Sequence, residues 1–377
     1  MPVESLPLRP TYVEVNLNRL AENLLAIRRK VAPAKVMPVV KANAYGHGLI
    51  PVAKHLLAHG ADSLGVAILD EGLALRQAGV NASILVMGGI QPEQIPAYLQ
   101  HDLTLTVTSL ENLTDIERVA GRLGVTAAVH VKVDTGMGRL GVRYDEADRL
   151  LGACLELQHV RLEGVFSHFA NADAADLSDA RRQLERFNQA LGFFERHDMP
   201  KPLTHIANSG AILQLPESYF DLVRPGIMLY GVYPSPQTQR TVKVTPALTW
   251  KTRPVLSKIL PPHSPVSYGS TWQSDHPVRL LTLPLGYGDG YFRLLSNRGV
   301  VLVHSKRYPV VGRVCMDQML VNLEADMADT SDEVVLLGEQ GGSTVTADEL
   351  AELVGTIPYE ILTNINSRVP RVYVEAG

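Results

Sequence analysis

The chain has 377 residues, 46% hydrophobic and 20% charged, a composition that excludes a disordered protein and leaves room for two domains of ordinary size. A formal net charge of −4, with no block of Lys or Arg, argues against a surface for nucleic acid or anionic membrane. Cys154 and Cys315 are too few for a disulfide framework, the N-terminus lacks a basic segment followed by an apolar one, and no apolar run reaches the length of a membrane span, so a cytoplasmic protein is expected. In chain order, TYVEVNL (11–17) alternates as a strand that could join either domain, and Asn18 then reads as the cap of a helix with Leu20, Leu24, Ile27 and Val31 on one face. Short apolar runs follow, each succeeded by a helical stretch: VMPVV (36–40), LGVAI (64–68), SILVM (83–87), LTLTV (103–107), AAVHVKV (127–133), VRLEGVF (160–166), LTHIA (203–207) and DLVRPGIMLYG (221–231). Eight such units predict a closed parallel (β/α)8 barrel of the TIM type. A doubly wound open sheet would alternate in the same way; the barrel is preferred because polar residues gather at the strand ends.

Beyond about residue 244 the pattern becomes period two, with turn residues between runs such as VRLLTLPLGYG, GVVLVHSKRYPVVGRV and DEVVLLGE. One helix is expected there, opened by the capping box of Thr346 and Glu349. The fold class is therefore α/β: a barrel over 13–243, and a mostly-β domain from 1–12 and 244–377.

Polar residues follow the apolar runs, where a barrel builds its active face. Lys41 ends the first run and Tyr45 lies four residues on; His168 follows the sixth; Asn208 and Ser209 follow the seventh; Arg224 ends the eighth and leads into Gly226 and Ile227. Singly, each has an ordinary explanation: a solvated lysine, a hydrogen-bonded core histidine, a pair of tight turns. Together on one rim they suggest a site. The loops after strands seven and eight are also where barrels often bind phosphate through backbone N–H groups. The stretch Gly136-Met-Gly-Arg-Leu-Gly141 matches a dinucleotide-binding pattern, but its helix is expected to begin only near residue 144, so the glycines do not open it. No metal site is expected.

The segments VVKANAYGHG, VKVDTGMGRLGVR, GVFSHFA, HIANSGA, RPGIMLYG, VSYGSTW, LPLGYGDGY, GRVCMDQ and PYEILTNINSRVPRVY, in this order from Tyr12 to Tyr373, resemble the alanine racemase family. The resemblance implies a β/α barrel, a C-terminal β domain joined by the N-terminal strand, a head-to-tail homodimer and pyridoxal phosphate as cofactor. It assigns Lys41 to the cofactor as a Schiff base. Tyr45, Ser209, Tyr359 and the backbone of Gly226 and Ile227 go to the phosphate, with Asn208 nearby. Arg139 goes to the phenolic oxygen and the substrate carboxylate, and Arg224 to the pyridine nitrogen. Lys132 matches the lysine that carries a CO₂ adduct in many members. From the second subunit would come Tyr268, and Met316 through its backbone N–H.

Racemisation must remove a proton from one face and return one to the other, which needs two bases; Lys41 and Tyr268 are the expected pair. The resemblance implies that His168 links Tyr268 to Arg224 and orients the phenol. Arginine has no acceptor and stays charged, so it cannot hold a protonated ring nitrogen, which favours reprotonation over decarboxylation. Tyr359 and Tyr287 are expected to crowd the side-chain pocket, so the substrate is expected to be L- and D-alanine; the resemblance implies that the D-alanine supplies cell-wall synthesis. Alternatives are a racemase that also accepts serine or other amino acids, a barrel decarboxylase, a non-catalytic pyridoxal-phosphate-binding protein and an NAD oxidoreductase.

Overall fold

A computed structural model describes residues 8–375, so residues 1–7 and 376–377 of the expected β domain lie outside it. The chain divides into two compact units, one of Leu20–Ala44 with Leu49–Thr245, the other of residues 8–19, Tyr45–Gly48 and 246–375.

The first unit is a closed ring of eight parallel staves. Lys35–Val36 pairs with Leu222–Val223, Leu64–Val66 with Ile84–Val86, and Ala127–Asp134 lies between Leu105–Val107 and Val160–Phe166, which pairs in turn with Leu203–His205. The Val39–Gly65 and Leu85–Thr104 bridges join the remaining neighbours on that side. Asp221 and Arg224 donate N–H bonds to Thr204 and Ala207, and Met37 and Val39 donate to Val223 and Pro225, which completes the circle. Val36, Val40, Leu64, Val66, Ile84, Val86, Leu105, Val107, Val129 and Val131 are buried. Strands packed on both faces need such continuous apolar runs, and these are the runs visible in the sequence. The surrounding helices bury one stripe each. Leu110–Leu123 buries Leu113, Ile116, Val119 and Ala120 behind a Ser109 cap whose hydroxyl accepts the Asn112 N–H. At roughly 1.5–3 kcal/mol per large apolar side chain, that stripe outweighs what the cap contributes. The fifth unit's helix starts at Ala147, well after the glycines of 136–141, so these do not open a helix.

In the second unit the sheet order runs Leu256–Leu260, Val278–Leu283, Met319–Asn322, Lys306–Val311, Val300–Val303, Val334–Gln340, Leu248–Thr252, Tyr12–Asn16 and Arg371–Val374. Tyr12–Asn16 is antiparallel to Leu248–Thr252 and parallel to Arg371–Val374, so residues 13–19 belong here and not to the barrel as the boundary at 13 had it. The reason is the pattern itself. Val13 and Val15 are buried while Tyr12, Glu14 and Asn16 are half-buried, the alternation of a sheet with one wet face. The helix cap moves with it: Asn16, not Asn18, accepts the Arg19 N–H through Oδ1 at 3.0 Å, and the helix runs Leu17–Val31. The helix Ala347–Val354 begins where its capping residues predict, with the Thr346 hydroxyl accepting the Glu349 N–H at 3.1 Å. Among the described residues no helix is long and apolar enough to cross a membrane.

Candidate active site

Lys41 leaves the first barrel strand into a turn of unusual hand. Ala42, Asn43, Ala44 and Tyr45 have φ of 53°, 55°, 52° and 51°, and none is glycine. A left-handed residue with a Cβ costs roughly 1–2 kcal/mol, so the turn holds on the order of 4–8 kcal/mol that neighbouring bonds must offset. Those bonds are visible: Ala44 N–H donates to Val40 O at 2.8 Å, Leu49 N–H to Asn43 Oδ1 at 2.8 Å, and Ala42 N–H to Glu71 Oε1 at 2.6 Å. Burial pulls the Lys41 amine below the usual lysine range, and Arg139 and Arg224 pull it further, with Glu71 opposing.

Arg224 is the hub of the rim and is almost wholly buried. Its NH1 donates to His205 Nδ1 at 2.7 Å; its NH2 donates to Ser167 O at 2.6 Å, to Ile206 O at 3.2 Å and to His168 Nδ1 at 3.3 Å. Burial lowers Arg224 to about 9, which leaves it cationic at neutral pH. Because arginine only donates, the bonded ring nitrogens must accept, so neutral His205 and His168 carry their protons on Nε2. His205 Nε2 then donates to His130 Nδ1 at 2.9 Å. Burial and the nearby Arg224 charge hold His168 and His205 well below the usual histidine range and His130 at about 4, so all three are neutral at pH 7. The Phe166 ring stacks on His205 with centroids 4.9 Å apart, and Arg224 and Lys132 lie 5.4 and 5.2 Å from its centroid.

Lys132 is buried on the fifth strand, and its amine is lowered to about 8 by burial first, then by Arg224, Arg139 and Lys41. The loop after it turns back on itself, and a Cβ at Gly141 (φ 122°) would sit 2.7 Å from Lys132 O, so only glycine fits. The loop thereby places Arg139, Lys132 and His168 around one crevice. After the seventh and eighth strands, Ser209 Oγ accepts the N–H groups of Gly226 at 3.0 Å and Met228 at 3.4 Å, and Asn208 Oδ1 accepts that of Ala211 at 3.1 Å. Ile227 is buried beside them at the start of a short 3₁₀ turn.

In the β unit, the rings of Tyr45 and Tyr359 lie 6.1 Å apart. Tyr268 is 72% exposed, displayed by a turn in which Ser267, Gly269 and Ser270 all have positive φ and Ser267 Oγ donates to Arg313 O at 2.5 Å. Tyr287 and Met316 are joined through their backbones: Tyr287 N–H donates to Cys315 O at 3.0 Å and Gly288 N–H to Met316 O at 2.9 Å. A Cβ at Gly286 would come 2.0 Å from Cys315 O, so this approach also requires glycine.

The barrel unit thus brings Lys41, Lys132, Arg139, His168, Asn208, Ser209, Arg224, Gly226 and Ile227 to one rim, and the β unit carries Tyr45, Tyr268, Tyr287, Met316 and Tyr359. A rim bearing Lys41, Lys132, Arg139 and Arg224 needs anions, and a phosphorylated aldehyde with an amino-acid carboxylate supplies both the anions and a carbonyl for the amine. The residues therefore fit pyridoxal phosphate. His205, His130 and Glu71 had escaped the sequence reading. The histidines have one signal, a polar ring inside an otherwise apolar strand run; Glu71 reads only as a helix-capping glutamate.

The family model described as alanine racemase, N-terminal domain, matches residues 15–234, and that for the C-terminal domain matches 247–373. The chain is 48% identical over 369 residues to the alanine racemase of Carboxydothermus hydrogenoformans, covering 97% of this chain and 100% of that one. It is similar to the structure of alanine racemase from Bacillus anthracis with bound L-Ala-P, at 36% identity, TM-score 0.93 and coverage of 98% and 96%. It is also similar to that from Bartonella henselae with covalently bound pyridoxal phosphate, at 28% identity, TM-score 0.87 and coverage of 97% and 99%.

Proposed function

The chain belongs to the alanine racemase family, and we propose that it interconverts L- and D-alanine with pyridoxal phosphate held at Lys41, working as a homodimer. The observation that carries this reading is a lysine at the end of the first barrel strand, partly buried among cations that favour its neutral form. The cofactor, when bound, withdraws electrons from the substrate's α-carbon and makes its proton exchangeable.

Lys41 Nζ takes or returns the proton on one face, and the phenolic oxygen of Tyr268 of the partner subunit does so on the other. His168, with its proton on Nε2 because Nδ1 accepts from Arg224, has an N–H to offer a phenolate, which favours the basic form of Tyr268. Arg224 is assigned to the ring nitrogen. It has no acceptor and stays charged, so it would not stabilise a proton on a ring nitrogen facing it, which would favour return of the α-proton over loss of CO₂. Arg139 and the backbone N–H of Met316 of the partner subunit hold the substrate carboxylate. Ser209, Gly226, Ile227, Tyr45 and Tyr359, with Asn208, are assigned to the phosphate. Lys132 carries a CO₂ adduct that pairs with Arg139, and Tyr359 and Tyr287 restrict the side chain to a methyl group.

Turnover of both enantiomers of alanine, serine and lysine tests the reading. Alanine should be preferred, and borohydride should fix the cofactor's mass on the peptide containing Lys41. A preference for lysine, or activity that depends on a nicotinamide, would overturn it.

A further inference from the structure

Glu71 is the third residue of the helix Leu69–Gln77, whose cap position is Ile68, a side chain with no acceptor. A glutamate at this position ordinarily reaches back to the start of its own helix. Here one oxygen does so, with Oε2 accepting Ala67 N–H at 2.8 Å and Ile68 N–H at 3.4 Å. The other crosses to a different loop, where Oε1 accepts Ala42 N–H at 2.6 Å. Ala42 is the first residue of the left-handed turn and the immediate neighbour of Lys41. The carboxylate therefore staples the loops after the first and second barrel strands.

We propose that Glu71 is a positioning residue for Lys41: its two oxygens hold the left-handed turn that aims the amine, and its charge offsets the cations around that amine. The proposal deepens the racemase reading and rests on it. An ionised carboxylate is required because N–H donors approach from both sides. A glutamine would present its NH₂ to one of them, leaving either Ala42 or the 67–68 turn without an acceptor. The charged and titratable groups that act on Lys41 or on which it acts are Glu71, Arg139, Arg224, Lys132 and His168. Of these, His168 is neutral, Arg139 and Arg224 are cations, and Lys132 is cationic until it adds CO₂, so Glu71 is the carboxylate side chain of the set. Its charge raises the Lys41 amine while burial and the arginines lower it. Removing the charge should lower the amine further.

Two variants of the full-length chain separate the two roles. Glu71→Gln removes the charge; Glu71→Asp keeps it but is one methylene too short to reach both loops. Each is first shown by circular dichroism to be folded. Three readouts follow: amide hydrogen exchange at Ala42, the pH dependence of Lys41 methylation read by mass spectrometry after cofactor removal, and kcat against KM for alanine. Exchange at Ala42 should accelerate about tenfold or more in both variants. The Lys41 titration should move to lower pH in Glu71→Gln and stay close to wild type in Glu71→Asp. In both, kcat should fall about 10- to 100-fold with KM changed far less, as expected of a misplaced reacting group. Wild-type exchange, titration and kcat in Glu71→Gln would overturn the proposal. The exchange and titration arms do not depend on turnover, so an unmodified chain that fails to racemise alanine would count against the racemase reading and leave this test readable.

Discussion

Lys132 offers a quantitative test of the electrostatics at the rim. An amine adds CO₂ only when neutral: its lone pair bonds to the carbon, the nitrogen loses a proton to solvent, and a carbamate anion results. With an ordinary lysine value near 10.4, roughly one amine in 2,500 is neutral at pH 7. Burial and the charges of Arg224, Arg139 and Lys41 bring Lys132 to about 8, which makes about one in eleven neutral, a gain of about 230-fold. The product is better placed than the reactant, because an anion beside Arg139 and Arg224 replaces a third cation. The perturbation is ¹³C-labelled bicarbonate, added to the wild type and to Lys132→Ala, with the carbamate carbon read by NMR. The wild type should show a signal that grows as pH rises through about 8, and the variant should show none. Arg139 would lose its aiming partner in Lys132→Ala, so KM for alanine should rise about tenfold. Equal spectra for the two proteins between roughly pH 6 and 9 would refute the reasoning.

Two stability predictions follow from the same cluster. In CO₂-free buffer Lys132→Met should stabilise the fold by about 2–3 kcal/mol at pH 7. A lysine whose folded value lies below its unfolded one carries its full penalty below about pH 8, and the penalty disappears as pH rises toward the unfolded value, so the gap between the two proteins should close near pH 10.4. Urea titrations at several pH values would show it, and a pH-independent difference would contradict it. His205→Phe keeps an aromatic ring against Phe166 but removes the acceptor for Arg224 NH1 and the donor for His130. Leaving buried groups unpaired, one of them charged, should cost about 2–4 kcal/mol in urea denaturation, and a change within about 0.5 kcal/mol would count against the network.

The barrel was legible because strands buried on both faces must be continuously apolar, and all eight staves coincide with such runs. The alternation of Tyr12–Asn16 was legible but left its domain open, and the boundary at 13 fell on the wrong side because its partners, Leu248–Thr252 and Arg371–Val374, lie more than 230 residues away in the chain. Lys41, His168 and Arg224 were visible as polar residues ending apolar runs. The left-handed turn was not, because KANAY contains none of the glycines that normally announce positive φ. Glu71 was hidden for a related reason: its long-range partner is a backbone N–H, which leaves no trace in residue type. His205 and His130 lie inside strands, and their pairing depends on a register of about 75 residues that local pattern does not encode.

The two-sided proton exchange stands or falls on mixed dimers. Lys41→Ala and Tyr268→Phe chains, each inactive alone, are unfolded together, refolded and assayed with L-alanine. If each site takes its lysine from one subunit and its phenol from the other, random pairing gives half mixed dimers, each with one intact site of two, so about a quarter of wild-type activity should return. Activity no higher than that of either parent, in a mixture shown to contain mixed dimers, would mean that one chain supplies both bases or that Tyr268 is not one of them.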